Sequence, residues 1–249
     1  MKTIAFFNLK GGVGKTAGAV NTAWYATSDG YRSVLWDLDA QGAASWYLLG
    51  DQERQPKMER IWSEKAPISK ALKASEYENL DVIEAAFSNR NVDVLLSELG
   101  LKRKLLARLA EPLAQSYDLL VMDCPPSLSR LTEQIFITCD AVVMPVIPTP
   151  LSLRAYSQVR EFMDRAGRQT VPLWPYFSMV DRRKNLHKEW LESPPPELKN
   201  RLKTYVPYAS AVERMGLEGV PVGAFAHSDV GGQALYNLWH EIERRLKKL

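Results

Sequence analysis

Lys2-Thr3-Ile4-Ala5-Phe6-Phe7-Asn8-Leu9-Lys10-Gly11-Gly12-Val13-Gly14-Lys15-Thr16 decides how the rest of this chain is read. An apolar run enters a glycine-rich turn, and the turn enters a helix-like segment. Gly11, Gly12 and Gly14 let successive backbone N–H groups point into one concavity with no Cβ in the way. That concavity, followed by a helix N-terminus, suits phosphate oxygens. Lys15 adds a point charge for the outer phosphates of a nucleotide, and Thr16 a hydroxyl for Mg²⁺.

Working outward, two further carboxylate motifs follow. Trp36-Asp37-Leu38-Asp39-Ala40-Gln41-Gly42 closes a second apolar strand. Alternation along an extended segment sets Asp37 and Asp39 on one side. Two carboxylates at the C-terminal end of a strand belong near the phosphate site of an open α/β sheet, and their repulsion calls for a cation or a water network. Leu119-Leu120-Val121-Met122-Asp123 is an apolar strand ending in a single carboxylate, the design that presents an Asp to Mg²⁺. Cys124-Pro125-Pro126 gives it a rigid exit.

The segment from Asn8 to Thr16 resembles the deviant Walker A motif of the ParA/MinD family. The strict pattern G-x-x-x-x-G-K-[ST] fails at Leu9, and Lys10 stands just before the glycine pair. The resemblance implies a doubly wound α/β fold with a mostly parallel sheet and helices on both faces, a P-loop NTPase of SIMIBI-like type. It implies ATP and Mg²⁺ as cofactors, with Gly11, Gly12, Val13, Gly14, Lys15, Thr16 and Ala17 around the phosphates. Thr16, Asp37 and Asp123 would serve the metal, Asp37 supporting either the ion or its loop, and Asp39 would orient the attacking water. Lys10 would reach across an ATP-sandwich homodimer to the partner's phosphates. Ala17 departs from the family's usual Thr or Ser and removes a contact to the α-phosphate. Met179-Val180-Asp181-Arg182-Arg183 is similar to the family's segment beside the adenine, which places Met179, Asp181 and Arg182 there. The stretch from Val206-Pro207-Tyr208 to Val212-Glu213-Arg214-Met215 is similar to its base-flanking loop, with Pro207 at the base, and Gly219-Val220-Pro221-Val222 to its partner-facing turn.

The whole chain fits this frame. Its 249 residues, 46% hydrophobic, suit one α/β domain over 1–249. Strands are expected at 2–8, 33–37, 80–84, 119–123, 141–146 and 171–179. Most are continuous apolar runs, the mark of strands buried on both faces. Helices are expected at 16–28, 101–115, 128–139, 152–167 and 234–248. The strand–helix alternation predicts right-handed crossovers. The connection from 50 to 79 holds Pro56, Pro67 and a short helical candidate at 68–75, and Pro194-Pro195-Pro196 reads as a stiff loop between helices. Cys124 and Cys139 are too few for a disulfide framework and lack zinc or redox spacing. No run of about 18 apolar residues exists, and residues 1–7 lack a signal-peptide cleavage site. A cytoplasmic protein is expected.

Three classes of activity compete on this scaffold. In the first, a positioning ATPase partitions a plasmid, chromosome or cellular cargo, gripping nucleoid DNA without sequence preference when ATP-bound. A ParB-like protein or cargo adaptor would stimulate its hydrolysis. The net charge of +3 neither demands nor excludes nucleic acid. Arg182, Arg183, Lys184, Lys188, Lys199, Arg201, Lys203, Arg214, Arg244, Arg245, Lys247 and Lys248 are the phosphate-contact candidates. No helix-turn-helix precedes the glycine loop, which resembles the small partition ATPases. The second class is a MinD-like membrane-cycling ATPase. Leu235, Leu238, Trp239, Ile242, Leu246 and Leu249 form a stripe that fits either a membrane surface or a core, though Glu241 and Glu243 disfavour anionic lipid. The third is a metabolic or redox enzyme, for which the two cysteines are poorly placed to hold an iron–sulfur cluster.

Overall fold

A computed structural model describes residues 1–51, 58–86, 92–98 and 104–249. Seven strands form one sheet: β1 (Lys2–Phe6), β2 (Ser33–Asp37), β3 (Leu72–Ala74), β4 (Leu80–Ile83), β5 (Leu119–Asp123), β6 (Ala141–Val146) and β7 (Leu173–Phe177). Their order is β3-β4-β2-β5-β1-β6-β7, and every pairing is parallel except β3 with β4. Parallel pairs need long crossovers, and the eleven α-helices among the described residues supply them.

Alternation explains the two layers. Ile4 and Phe6 of β1 and Leu119 and Val121 of β5 face one core. It is closed by α1 (Lys15–Ser28), α2 (Ala43–Leu49), α9 (Ser210–Glu218), α10 (Val222–Ala226) and α11 (Val230–Leu246). Ala5, Leu120 and Met122 face the other. That side carries α3 (Met58–Trp62), α4 (Val92–Glu98), α5 (Leu105–Ala110), α6 (Arg130–Thr138), α7 (Pro150–Arg165) and α8 (Asn185–Glu192). The doubly wound, mostly parallel architecture expected from the alternation is the one observed.

Several expectations need correction. The helical candidate at 68–75 is a 3-10 turn, Ile68–Ala71, running into β3. The backbone turns extended at Leu72, where pairing with Ile83 of β4 replaces helical bonding. The helix expected at 101–115 is α5 followed by a 3-10 turn, Glu111–Gln115, because Pro112 offers no N–H to continue the ladder; residues 101–103 and Pro56 lie outside the described residues. Helix α7 starts two residues early, with Pro150 at its first position. The last helix starts at Val230, capped by Asp229 accepting from the Gly231 N–H at 2.8 Å. A Cβ on Gly232 would stand 2.4 Å from the Ala226 carbonyl. Close packing of α11 against α10 demands the glycine. The short helices α2, α3, α4, α8, α9 and α10 were not foreseen. The triple proline does lie between helices, after α8 and before α9.

The stripe on α11 is core. Leu235, Leu238, Trp239, Ile242 and Leu246 are all buried, while Leu249 is exposed. Among the described residues no helix is long and apolar enough to cross a membrane.

Candidate functional site

Strand β1 sits between β5 and β6, and its C-terminal end opens into the loop 7–14. In open α/β sheets ligands bind beyond the carboxyl ends of the strands, where the strand order changes direction. Buried side chains hold this loop in shape. The Asn8 amide donates to the Pro145 carbonyl at 2.6 Å, and its oxygen accepts from the Lys10 N–H at 2.9 Å. Ser178, just beyond β7, donates to the Val13 carbonyl at 2.9 Å. Gly14 caps α1 with φ +92°, and a Cβ there would sit 2.9 Å from the Ser178 hydroxyl. Only glycine meets both demands. The Lys15 side chain, buried, folds back to donate to the Lys10 carbonyl at 3.2 Å. The Lys10 backbone is therefore fixed, while its ammonium has no partner among the described residues.

The aspartates divide by environment. Asp37 and Asp123 end adjacent strands and pair in register, so two buried carboxylates stand side by side. Asp37 is fully occupied. It accepts from the Ser45 N–H and hydroxyl, each at 2.8 Å, and from the Asp39 N–H at 3.2 Å. These bonds fasten α2 to the end of β2. Burial lifts its pKa to about 6, against the pull of the Ser45 bonds. Asp123 is the opposite case: both oxygens are buried and neither makes a hydrogen bond. Burial first, then the Asp37 charge, hold its carboxyl well above the ordinary range, with Thr16 and Lys15 pulling the other way. An orphaned buried carboxylate beside a hydroxyl and an ammonium is short of one cation. Among the described residues no cluster of three His, Cys, Asp or Glu could cage an ion alone. That fits Mg²⁺, which is held by one or two protein groups plus phosphates and waters. Asp39 lies in the following turn, half-buried, accepting from the Gln41 N–H at 3.0 Å.

A cavity of about 320 Å³ opens over the glycine turn. Gly12, Gly14, Lys15, Thr16 and Ala17 make its floor, and Met179, Val206, Pro207, Tyr208, Ala209, Val212 and Glu213 its far end. Met179 holds φ +52°, uncommon for a residue with a side chain, and the neighbouring Val180 bridges to Pro207. Met179 and Pro207 both line the cavity. Asp181 and Arg182 do not line the cavity. The Asp181 carboxylate is turned aside to accept from the Arg183 N–H and guanidinium, which holds it low, and its N–H donates to His187 at 3.0 Å. Arg182 is exposed. Sequence reasoning missed Asn8, Ala43, Ser45, Tyr47, Tyr176, Ser178 and Leu235. Only Ser45, eight residues beyond Asp37, left a local signal, as a small polar residue in the first turn after the aspartate motif.

Comparison with known proteins agrees with this geometry. The family model described as AAA domain (AAA_31) matches residues 1–172. The chain is 29% identical over 247 residues to the sporulation initiation inhibitor protein Soj of Bacillus subtilis, covering 97% of this chain and 98% of that protein. Its fold is shared by the McdA–ATP complex of Cyanothece, at TM-score 0.85 and 15% identity, over 98% of this chain and 96% of that one. It is shared equally by cobyrinic acid a,c-diamide synthase of Mycobacterium smegmatis with bound ADP and magnesium, at TM-score 0.83 and 21% identity, over 99% and 96%. The scaffold therefore carries more than one activity.

Proposed function

The chain belongs to the AAA-domain family (AAA_31), as a ParA/MinD-type P-loop ATPase of the partition or positioning kind, and on that footing we propose that its Mg-ATP-bound form pairs into a sandwich dimer that grips duplex DNA without sequence preference and positions a cargo. One observation supports this above all: a rigidly held glycine turn with Lys15 and Thr16 lies below the cavity, beside the orphaned Asp123 carboxylate. In this reading the backbone N–H groups of 11–16 bind the phosphates, and Lys15 neutralises the β- and γ-phosphates. Thr16 and Asp123 hold Mg²⁺, which when bound screens the charge on those same oxygens. Met179 and Pro207 flank the base. Asp39 orients a water for in-line attack, and a partner protein speeds that step.

Lys10 is assigned to the second copy's phosphates. Its backbone is fixed at both N–H and carbonyl while its ammonium is free to reach outward. Lys10→Ala should bind ATP within a few-fold of the parent yet sediment as a monomer with Mg-ATP, where the parent sediments as a dimer. A dimeric variant would remove Lys10 from the interface.

For DNA we propose one contact surface. Lys203, Thr204, Gln233, Asn237, His240 and Arg244 line an open groove of about 540 Å³ with no carboxylate among the described residues of its wall. By contrast Arg183, Arg214, Arg245 and Lys247 are paired with Asp181, Glu218, Glu241 and Glu243. Lys203→Ala with Arg244→Ala should weaken ATP-dependent binding to random duplex roughly tenfold or more, and flatten the salt dependence by about two in log–log slope. An unchanged slope would move the contact elsewhere. The membrane reading loses its main support because the α11 stripe is buried. A redox reading fares no better, since a cluster shared between copies needs surface thiols and Cys124 and Cys139 are both buried.

A further inference from the structure

On the cavity floor Ala17 follows Lys15 and Thr16 but carries no side-chain donor. Helix α1 begins Lys15-Thr16-Ala17. In the ATP-binding reading Lys15 and Thr16 each bring a polar group to the outer phosphates, and Ala17, next along the helix and toward the nucleoside end in that reading, brings only a methyl. Opposite it stands α2, whose Ala43 and Tyr47 both line the cavity. They are four residues apart and share a helix face. Tyr47 is the only residue of α2 with a polar side chain in that wall. It is half-buried, and its hydroxyl has no hydrogen-bond partner among the described residues. Burial raises its pKa, so at neutral pH the hydroxyl is a neutral donor.

Tyr47 is also well anchored. Its ring packs 5.3 Å from that of Trp46, and α2 is fastened to β2 two residues earlier by the Ser45–Asp37 bonds. Ser45 accepts in addition from the Ala85 N–H at 2.9 Å, tying α2 to the end of β4. A phenol on so fixed a helix costs little further entropy when it binds.

We infer that Tyr47 is a nucleotide-binding residue whose hydroxyl donates to the phosphate nearest the nucleoside, the place that Ala17 cannot serve. This rests on the ATP-binding reading above and adds to it a contact from outside the glycine loop. A donor on α2 rather than α1 has a consequence: the nucleoside-side phosphate is read by the helix that follows the Asp37–Asp39 turn. Occupancy of the cavity then holds that turn as well as the loop.

Isothermal titration of the full chain with Mg-ATP and Mg-ADP tests it, using the parent, Tyr47→Phe, Ala17→Thr and the double variant. Tyr47→Phe keeps the ring and its packing, and its thermal midpoint should match the parent's. Its affinity should fall about tenfold, the value of a hydrogen bond to a charged oxygen. ATP and ADP should lose the same factor, since both carry the phosphate concerned. Ala17→Thr should restore most of that loss in the double variant by supplying a hydroxyl from the opposite wall. Tyr47→Phe within twofold of the parent overturns the inference. So does a loss confined to ATP, or one that Ala17→Thr leaves unrepaired. A parent that takes up no nucleotide would instead defeat the ATP-binding reading itself.

Discussion

Lys15→Ala leaves a folded chain that binds adenine nucleotide at least about thirtyfold more weakly. The size follows from position. Lys15 is buried at the floor of the cavity, at the first residue of α1. A triphosphate brought there carries its charge out of water and needs a cation in contact. Removing one member of a buried charge pair costs roughly 2–5 kcal/mol, which is about thirtyfold to several thousandfold in affinity. The fold should survive because the lysine's own contribution is small. It makes one hydrogen bond, to the Lys10 carbonyl, while Asn8 and Ser178 hold the loop independently. Calorimetry with Mg-ATP alongside a thermal melt separates the two effects. Binding near the parent's value with an unchanged melt would show that the glycine turn cups something other than a triphosphate.

Asn8 and Ser178 also show where sequence reading stops. The turn itself was legible because its chemistry is local: glycines at 11, 12 and 14, then Lys15 and Thr16, between an apolar strand and a helix. The sheet was legible for a similar reason, since strands buried on both faces cannot alternate. What required three dimensions was adjacency. Asp37 and Asp123 are 86 residues apart, and only the placement of β5 between β2 and β1 sets them side by side. Ser178 reaches Val13 across 165 residues. Tyr47 enters the cavity wall because α2 folds back over α1, and nothing in Ser45-Trp46-Tyr47-Leu48 announces that. Asp181 stands away from the cavity wall for the converse reason. A neighbouring arginine two residues along captured the Asp181 carboxylate, and a local ion pair outweighed the expected place at the base. The edge strand β3 escaped because three residues are too few to show a period of two.

The two adjacent carboxylates carry the other large expectation. Asp123→Asn should abolish magnesium-dependent stabilisation by ATP and lower hydrolysis at least about a hundredfold, while making the nucleotide-free protein relatively more stable as pH rises. The sign follows from linkage. A carboxyl whose pKa is raised by folding keeps its proton in the folded chain after the unfolded chain has lost it. Its favourable contribution is complete below the unfolded value, near 4, and is lost as pH climbs through the folded value. Both Asp37, at about 6, and Asp123 are of this kind. Surface pairs such as Arg32–Asp118 run the other way, but both side chains are largely exposed and contribute little. The shares contributed by Asp37 and Asp123 should therefore be lost from about pH 4 upward, against the opposite trend of Glu241 and Glu243, whose carboxyls are held low. Each raised carboxyl contributes up to about 1.4 kcal/mol per pH unit over its interval. The Asn variant lacks the Asp123 share, and Asp37 loses a neighbouring charge. Urea melts at several pH values should show the gap between variant and parent widening in the variant's favour. Added Mg-ATP should close that gap by stabilising the parent alone. Parallel curves, or equal stabilisation of both chains by Mg-ATP, would mean that the orphaned oxygens of Asp123 are not what the cation binds.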